Sequence, residues 1–550
     1  MTFATRLTPA RAASMKAAGL WRDRTLLDYL QAAVVANPDK IAVTALDVTS
    51  GRQRSCTYRQ LDRLSRRVAG GLMAMGVDAG DVVSIQLPNW IEFIILHLAC
   101  LRCAAITNPL MPFLRHRELS FMLGLAESKV LVAPQRFRDF DYQPMIESLR
   151  PGLPGLVDYL LVGGEGDHSF EQRLLERRWE DEHPTGRALS PDSVIEILYT
   201  SGTTGEPKGV MHTSNTLLSS VPVFCGRLGL GPDDVALMAS PLAHQTGFIY
   251  GMVVSTVLGA KCVLQDIWKA DVAARLIQDE GVTYTMASTP FLSDLTDEAV
   301  QGRWDFGRFR VFLSAGAPIP TSLVKAARER LGAHVLSGWG MTENGLVTST
   351  LTTDPEEKGV YTDGFAFESM ELRVVDGRKR VLPPDAIGRL EARGAGNFVG
   401  YLKRPEFNAF DADEWFDTGD LARMDADGYI RITGRVKDVI IRGGENIPVV
   451  EIENLLYRHP AIREVAIVGM PDSRLGERAC AFVTLRSGEA LTLQDLLAYL
   501  DQQNVTRHYF PERLEVITEM PRTASGKIQK FRLREMAQAG ASADPGLERS

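Results

Sequence analysis

The sequence predicts an α/β fold with a large N-terminal region and a small α+β domain after it. Two observations predict this arrangement. Before Gly434, amphipathic helical patterns alternate with short apolar strand patterns. After Gly434 the pattern changes, and three helices and two strands follow within a unit of about 115 residues, a usual size for a domain. Strands that are separated by helices favour parallel or mixed sheets covered by helices on both faces.

The alternation begins with a helix and a strand. Apolar side chains at helical spacing predict an amphipathic helix over residues 58–76, and the apolar run 82–87 predicts a buried strand after it. Further strands of the large region are predicted at 195–199, 261–264, 282–287, 310–313 and 334–336. In the small domain, helices are predicted at 449–459, 493–500 and 531–539, and strands at 464–468 and 479–485.

Composition and charge exclude several classes of protein. The length of 550 residues is typical of three or four domain-sized units. The chain has 61 Lys plus Arg and 69 Asp plus Glu, which give a net charge of −8. This balance argues against a broad nucleic-acid-binding surface. Six cysteines are too few for a disulfide scaffold, so we expect a reducing compartment, the cytoplasm. The apolar stretch 91–107 contains Glu92 and Arg102 and is shorter than the ~20 residues of a membrane span, so stable membrane insertion is not expected.

The clearest chemical motif follows the predicted strand 195–199. Residues 200–209 read Thr-Ser-Gly-Thr-Thr-Gly-Glu-Pro-Lys-Gly. Small hydroxyl residues and glycines expose O–H and backbone N–H donors, and glycine permits the left-handed torsions that fold amides around an anion. Lys208 adds a positive charge. The motif predicts a phosphate-binding loop, although it lacks the GxxxxGK[ST] order of a P-loop NTPase and a surface turn has a similar composition.

Together with the preceding Tyr199, this motif resembles the signature of the adenylate-forming superfamily, which includes acyl-CoA synthetases, luciferases and peptide-synthetase adenylation domains. Five further motifs match in the same order: residues 314–318, SAGAP; 338–343, GWGMTE; 416–420, FDTGD; 434–438, GRVKD; and 521–527, PRTASGK. The resemblance covers essentially the whole chain. It implies an N-terminal domain, residues 1–434, with two mixed β-sheets flanked by helices and a small β-barrel-like subdomain. It also implies a mobile C-terminal domain, residues 435–550, with its hinge at Lys437.

The resemblance implies an ATP site assembled from separate motifs. The residues expected at the phosphates are Thr200, Ser201, Gly202, Thr203, Thr204, Gly205 and Lys208, and those expected at adenine and ribose are Gly316, Ala317, Pro318, Trp339, Gly340, Asp420 and Arg435. Trp339 stands where the family usually has Tyr, and its larger ring keeps the stacking role. Thr342 is expected to bind the α-phosphate, and Glu343 with Thr204 to hold Mg²⁺, a cation that prefers oxygen ligands.

The resemblance also implies the catalytic lysine and an acyl pocket. Lys527 is expected between the substrate carboxylate and the α-phosphate, where a cation offsets the repulsion of two anions. The expected pocket wall is Leu242, Ala243, His244, Phe248, Gly338 and Met341. His244 is a catalytic candidate, and we favour pocket lining and gating over proton transfer. The loop Gly443, Gly444 and Glu445 is expected at coenzyme A; it departs from many relatives because Pro448 comes one residue earlier.

The implied activity is that of an ATP-dependent, AMP-forming acid:CoA ligase. The chain most resembles cyclohexanecarboxylate–CoA ligases and short- or medium-chain acyl-CoA synthetases of fatty acid metabolism, so a compact apolar acid is expected. The alternatives are an adenylate-forming enzyme with another acceptor, either carrier-loading or luciferase-like, and a non-catalytic protein that binds CoA or a nucleotide. Residues 521–527 also resemble a bacterial acetylation site, so a lysine acetyltransferase and deacetylase acting on Lys527 are expected partners.

Overall fold

The computed structural model describes residues 3–183, 187–200, 207–316, 319–442, 445–472, 474–523 and 526–541. The strands are β1 Ile41–Leu46, β2 Gln53–Thr57, β3 Val82–Ile85, β4 Ile106–Pro109, β5 Val130–Pro134, β6 Arg136–Phe137, β7 Phe140–Asp141, β8 Asp158–Val162, β9 Val194–Thr200, β10 Lys208–Thr213, β11 Val235–Met238, β12 Lys261–Gln265, β13 Tyr284–Ala287, β14 Val311–Ala315, β15 His334–Met341, β16 Gly345–Ser349, β17 Phe365–Ala366, β18 Met370–Val375, β19 Gly388–Gly394, β20 Phe416–Met424, β21 Ile430–Arg435, β22 Ile440–Arg442, β23 Glu445–Ile447, β24 Ile462–Asp472, β25 Gly476–Leu485 and β26 Arg513–Val516.

The α-helices alternate with these strands over most of the chain. They are α1 Pro9–Ala17, α2 Leu26–Ala36, α3 Tyr58–Ala74, α4 Ile91–Cys103, α5 His116–Ala126, α6 Gln143–Leu149, α7 Trp179–Glu182, α8 Ser214–Leu218, α9 Val221–Leu228, α10 Gln245–Gly247, α11 Val254–Leu258, α12 Ala270–Asp279, α13 Thr289–Ala299, α14 Thr321–Leu331, α15 Glu356–Tyr361, α16 Val449–Leu456, α17 Leu493–Gln502 and α18 Lys530–Ala541.

The strands form three larger sheets in the N-terminal part and one in the C-terminal part. A nine-stranded mixed sheet has the order β17-β16-β15-β14-β13-β11-β12-β1-β2, and a six-stranded one has the order β10-β9-β4-β3-β5-β8. The third sheet is an antiparallel meander, β18-β19-β20-β21. After it, β22 to β26 form a sheet, with α16 between β23 and β24, α17 between β25 and β26, and α18 after β26. This confirms the predicted fold class, a large α/β part followed by a smaller α+β part.

The helix α4 lies in the core that joins the two large sheets. Its residues are apolar almost all round and every one of them is buried. The cluster around it contains Val43 and Ala236 of the nine-stranded sheet and Val83 of the six-stranded sheet, as expected for a helix covered on all sides. The side chain of Arg102 is buried there and is paired with Asp62, Nη2 to Oδ1, at 2.6 Å. Among the described residues, no helix has the length and apolar character needed to cross a bilayer.

Most predicted elements are present with small shifts of their ends. The predicted helix 58–76 is α3, and the predicted strands 195–199 and 261–264 are β9 and β12. Two features of the structure near the site were not among the predicted elements. The predicted strand 334–336 continues through the glycine-rich motif to Met341 as β15, and the chain after α10 first forms a π-helical segment, Phe248–Val253, before α11.

Candidate active site

The hairpin of β9 and β10 carries the predicted phosphate loop. Thr200 ends β9, Lys208 begins β10, and the two are register partners. The loop residues Ser201, Gly202, Thr203, Thr204 and Gly205 lie outside the described residues. The Lys208 ammonium lies over two aromatic rings, 4.3 Å from the ring centre of Phe407 and 5.0 Å from that of Tyr401. These contacts hold the cation at the base of the loop without neutralising its charge.

The predicted metal ligand Glu343 lies in the turn between β15 and β16. Glu343 is only 6% exposed, and the hydroxyl of Tyr401 donates a 2.7 Å hydrogen bond to Glu343 Oε1. Burial raises the pKa of Glu343, while Tyr401 and the positive charges of Arg435 and Lys208 oppose the rise. The Phe398 N–H donates to the Glu343 carbonyl oxygen at 2.7 Å. The hydrogen bond from Tyr401 therefore fixes the orientation of the carboxylate, and the charges of Arg435 and Lys208 limit the rise of its pKa.

The predicted ribose ligand Asp420 is held from two sides. Trp339 Nε1 donates to Oδ2 at 2.9 Å, and Arg435 Nε lies 2.9 Å from Oδ1. Each carboxylate oxygen keeps a further lone pair for a hydroxyl group. Trp339 is 7% exposed, so its ring is fixed by packing as well as by this hydrogen bond. Gly340 allows the adjacent backbone to approach, because a Cβ there would lie 2.1 Å from the Gly345 carbonyl oxygen.

The predicted catalytic Lys527 reaches this site from the C-terminal part of the chain. A Cβ built on Gly316 would lie 3.2 Å from Lys527 Cε and 3.9 Å from Nζ, so the lysine packs directly against this glycine. Burial and the charge of Arg435 lower the pKa of Lys527 to about 8, and Asp420 and Glu343 oppose the shift. The structure therefore brings together three of the predicted site residues, Lys527, Asp420 and Glu343. Ala317 and Pro318, predicted beside Gly316, lie outside the described residues.

The predicted acyl wall is an apolar segment anchored by Asn89. Leu242 and Phe248 have no exposed surface and Ala243 is buried, whereas Met341 is partly buried. The Leu242 N–H donates to Asn89 Oδ1 at 2.8 Å. Gly338 leaves room for the neighbouring strand, since a Cβ on it would lie 2.8 Å from the Thr348 carbonyl oxygen. These contacts fix the segment before any substrate binds.

His244 lies at the junction of this wall and the nucleotide site. Its Nδ1 accepts a hydrogen bond from the Thr246 N–H at 3.2 Å. Burial and the nearby charge of Lys527 lower the pKa of His244 to about 3, so the ring is neutral and weakly basic near pH 7. This environment favours pocket lining over proton transfer.

The predicted hinge and the predicted coenzyme A loop lie next to each other in the chain. Lys437 is exposed in a 3₁₀ turn, Val436–Asp438, between β21 and β22. Asp438 is paired with Arg534 of α18, Oδ1 to Nη2, at 2.6 Å. Gly443 and Gly444 lie outside the described residues, whereas Glu445 is exposed at the start of β23. Pro448 then precedes α16, so the early proline is accommodated at the start of a helix.

Sequence reasoning did not single out Tyr401, His212 or Glu196. Tyr401 binds Glu343, and His212 Nε2 lies 2.8 Å from the Thr342 carbonyl oxygen. Glu196 contacts Gln245, the residue after His244. The sequence signal for Glu196 was a charged residue between two isoleucines, and the signal for His212 was a polar residue directly after Val210 and Met211.

Comparisons with known proteins agree with this geometry. Residues 30–402 match the family described as AMP-binding enzyme, and residues 451–527 match the AMP-binding enzyme C-terminal domain. The chain is 38% identical over 532 residues to a medium-chain fatty-acid–CoA ligase of Escherichia coli strain K12, covering 96% of this chain and 92% of the relative. It is 34% identical to a salicylyl-CoA synthase / salicylate adenylyltransferase of a Streptomyces species, covering 95% and 96%.

A solved structure agrees over a similar length. The anthranilate CoA ligase AuaEII, in complex with anthranoyl-AMP, superposes with a TM-score of 0.85 at 25% identity, covering 94% of this chain and 98% of that one. The two family matches together cover most of the chain, and they include Lys208, Glu343 and Lys527. The chain therefore belongs to the AMP-binding enzymes and is an adenylate-forming acid ligase.

Proposed function

We propose that the protein is an ATP-dependent acid:CoA ligase that releases AMP and pyrophosphate. The observation that carries this proposal is the position of Lys527. Its side chain packs against Gly316, and its charge acts on His244 of the acyl wall, while Asp420 and Glu343 of the nucleotide site act on it. A cation at this junction faces both reactants, the acid on one side and the phosphates on the other.

In the first step the substrate carboxylate attacks the α-phosphate of ATP and pyrophosphate leaves. Two anions must approach each other, and Lys527 offsets their repulsion and the charge that develops in the transition state. Lys208 and the phosphate loop hold the leaving pyrophosphate, and Asp420 fixes the ribose. Glu343 fits Mg²⁺, because one buried and oriented carboxylate together with phosphate oxygens is a usual ligand set for this cation. When bound, the ion neutralises phosphate charge.

In the second step the thiol of coenzyme A attacks the acyl carbon, the acyl–sulfur bond forms and AMP leaves. Lys527 occupies the slot beside Gly316 in the present arrangement, so the C-terminal part must turn away to admit the thiol. The exposed turn at Lys437 is a suitable hinge for this motion, and the loop that ends at Glu445 is a suitable contact for coenzyme A.

We further propose a compact, mostly apolar acid as substrate, with cyclohexanecarboxylate and a medium-chain fatty acid as first candidates. The segment expected to form the pocket wall, Leu242, Ala243, Phe248 and Met341, is apolar, which fits the name of the E. coli relative. The relatives named for salicylate and anthranilate make aryl acids the second candidate class. Pocket contacts of this kind separate acids that differ by one methylene by only ~1–3 kcal/mol, so neighbouring chain lengths should also react.

The test is a pyrophosphate-release assay over short-chain, medium-chain, alicyclic and aromatic acids, with AMP and the thioester measured as products. We expect AMP, never ADP, and a dependence on ATP, magnesium and the acid. Omitting coenzyme A should leave acyl-adenylate, whereas oxygen uptake would indicate a luciferase-like reaction. A preference for amino acids or dicarboxylates, or release of ADP and orthophosphate, would contradict the proposal.

The lysine itself separates the two steps. Lys527→Ala should abolish acid-dependent pyrophosphate release and still convert supplied acyl-adenylate into thioester, because its charge is used only when two anions meet. Acetylation of Lys527 removes the same charge, so we propose that an acetyltransferase and a deacetylase switch the enzyme. Protein acetylated at Lys527, as verified by mass spectrometry, should behave like Lys527→Ala; full adenylation activity in it would refute both roles.

A further inference from the structure

Two fully buried polar side chains occupy matched positions on the hairpin that carries the phosphate loop. Glu196 of β9 and His212 of β10 are register partners, and their residues are 0% and 1% exposed. Partners in an antiparallel pair point to the same face of the sheet. Glu196 lies between two isoleucines of β9, and His212 follows Val210 and Met211 in β10. Burying such groups costs free energy unless each makes hydrogen bonds, so the partners of these two indicate what they do.

His212 holds the segment that carries the metal ligand. Its Nε2 lies 2.8 Å from the carbonyl oxygen of Thr342, the residue before Glu343, and Nδ1 lies 3.0 Å from Thr216 Oγ1. A carbonyl oxygen only accepts, so Nε2 carries the proton and the tautomer is fixed. Burial lowers the pKa of His212 to about 4, which keeps the ring neutral near pH 7. The ring is thus a rigid neutral link between β10 and the turn after β15.

Glu196 holds the opposite wall. Its Oε2 accepts a 3.0 Å hydrogen bond from Gln245 Nε2, and Gln245 directly follows His244. The Oε1 atoms of both side chains have no hydrogen-bond partner among the described residues. Burial raises the pKa of Glu196 to about 8, which favours the neutral acid, a form that donates as well as accepts.

The surroundings of Glu196 are also neutral. Thr107 of β4 is its register partner on the other side, and the Thr107 hydroxyl lies 2.9 Å from Nδ1 of His97. Burial lowers the pKa of His97 to about 3, and the His97 ring packs edge-on against Phe248 of the acyl wall at 4.7 Å. The hydrogen bond between Glu196 and Gln245 therefore joins β9 to the segment that follows His244.

We propose that Glu196 and His212 are positioning residues that fasten the phosphate-loop hairpin to the two other walls of the site. Glu196 sets the acyl wall through Gln245, and His212 sets Glu343 through Thr342. Groups that are held by rigid elements keep the reacting geometry, and small displacements of them cost rate. The inference rests on the proposed function, because the proposed function assigns the wall beside Gln245 to the acid and the wall beside Glu343 to the metal-bound nucleotide.

The test compares two pairs of variants and asks whether each pair changes a different set of kinetic constants. His212→Leu removes the donor to Thr342, whereas His212→Gln keeps an N–H at a similar reach. Glu196→Leu removes the acceptor for Gln245, whereas Glu196→Gln keeps one. The readouts are kcat, the KM for ATP, the magnesium dependence and the KM for the acid, all from pyrophosphate release.

We expect His212→Leu to lower kcat and to weaken magnesium activation, each by roughly 10–100-fold, because this is the usual effect of losing an outer partner of a metal ligand. The KM for the acid should stay within about twofold of the wild-type value. Glu196→Leu should raise the KM for the acid by about tenfold and leave the KM for ATP within about twofold. Each Gln variant should recover most of the loss. Should a Leu variant not fold, His212→Asn and Glu196→Asp, which keep polarity but shorten the reach, should show the same separation.

The matched control is Leu160→Ala in β8, a buried core residue at the opposite edge of the same sheet. It should lower the melting temperature without separating the kinetic constants. If His212→Leu and Glu196→Leu both behave like this control, or if each raises the KM for ATP and the KM for the acid equally, the positioning roles are wrong. That result differs from failure of the proposed function, in which wild-type protein forms no acyl-adenylate from any acid of the panel.

Discussion

Lys527, the proposed catalytic cation, lies in an environment that disfavours its charged form. Burial and Arg435 lower its pKa to about 8 in the free enzyme, so the fraction of cation falls as the pH rises through that value. We expect kcat/KM for pyrophosphate release to decline above about pH 8, because this constant reports the free enzyme. The decline in kcat should come at a higher pH, since bound phosphates favour the charged form.

Lys527→Arg supplies the control for this pH profile. A guanidinium stays charged at every pH of the assay, so any activity that the variant retains should lack the decline near pH 8. A wild-type kcat/KM that is constant from pH 7 to pH 9.5 would show that the lysine keeps its proton in the slot.

Tyr401 links two residues of the nucleotide site. Its hydroxyl holds Glu343 at 2.7 Å, and its ring lies under Lys208. Tyr401→Phe keeps the ring and removes the hydrogen bond, which frees the carboxylate to rotate and favours its protonated form. We expect kcat to fall by roughly 10–100-fold with weaker magnesium activation, as for other partners of metal ligands. A magnesium titration of pyrophosphate release measures both effects.

The chain offers a close control for that substitution. The Tyr429 hydroxyl donates to Asp354 Oδ1 at 2.7 Å, and Lys358 lies 4.5 Å from the centre of its ring. Tyr429→Phe therefore removes the same kind of hydrogen bond beside the same kind of cation, away from the site residues. Equal losses of activity in the two variants would contradict a specific role for Tyr401.

At the scale of single elements, the turn Val436–Asp438 is where the chain passes from one sheet to the next. Lys437 lies in a 3₁₀ turn, whose φ range includes the value that proline fixes. Lys437→Pro should therefore retain the present arrangement, in which Lys527 reaches Gly316. We expect pyrophosphate release to persist while thioester formation from supplied acyl-adenylate falls by at least tenfold.

Stopped-flow assays of the two half-reactions measure this effect, and Lys437→Ala, which leaves φ free, is the control. Unchanged rates of both half-reactions in the proline variant would place the hinge elsewhere.

The element β15 shows why part of the site could be predicted from sequence and part could not. Its start follows from an apolar run, but its last residues include Gly338 and Gly340, and glycines in a strand pattern usually indicate a turn. The strand continues because β16 pairs with it and the Gly345 carbonyl oxygen approaches Gly340 where a side chain would stand. The motif itself indicated Glu343 and Thr342. Their supports, His212 and Tyr401, come from distant strands and loops, and no local pattern connects them.

At the scale of the whole molecule, the two parts of the chain are joined by contacts between side chains from distant segments. Besides Lys527 at Gly316, Arg458 Nη2 of the C-terminal part donates to Thr321 Oγ1 at 3.2 Å, and the charge of Arg463 acts on Asp294. The exposed hydrogen bond between Arg458 and Thr321 contributes little free energy. The apolar pattern of each part predicts the fold of that part from sequence. The equilibrium between different arrangements of the two parts depends on small differences in the free energy of such contacts.

Gly526 is a point where the two parts lie close together. It has a φ of +84°, and a Cβ on it would lie 2.5 Å from Ser288 Oγ, which precedes α13 in the large part. Gly526→Ala should therefore prevent the lysine loop from seating. We expect acid-dependent pyrophosphate release to fall by about 100-fold or more, because a misplacement of about 1 Å has effects of that size, while supplied acyl-adenylate is still converted into thioester.

Gly488 separates this clash from backbone strain. Its φ is +83°, and a Cβ on it has no heavy atom within 4 Å, so Gly488→Ala carries the same torsional cost without the steric one. This variant should keep both half-reactions near the wild-type rate. Adding Ser288→Ala to Gly526→Ala removes the atom that the new Cβ meets, and it should restore part of the adenylation rate. If the double variant is no better than Gly526→Ala, local strain in the lysine loop, and not the contact between the two parts, limits the first step.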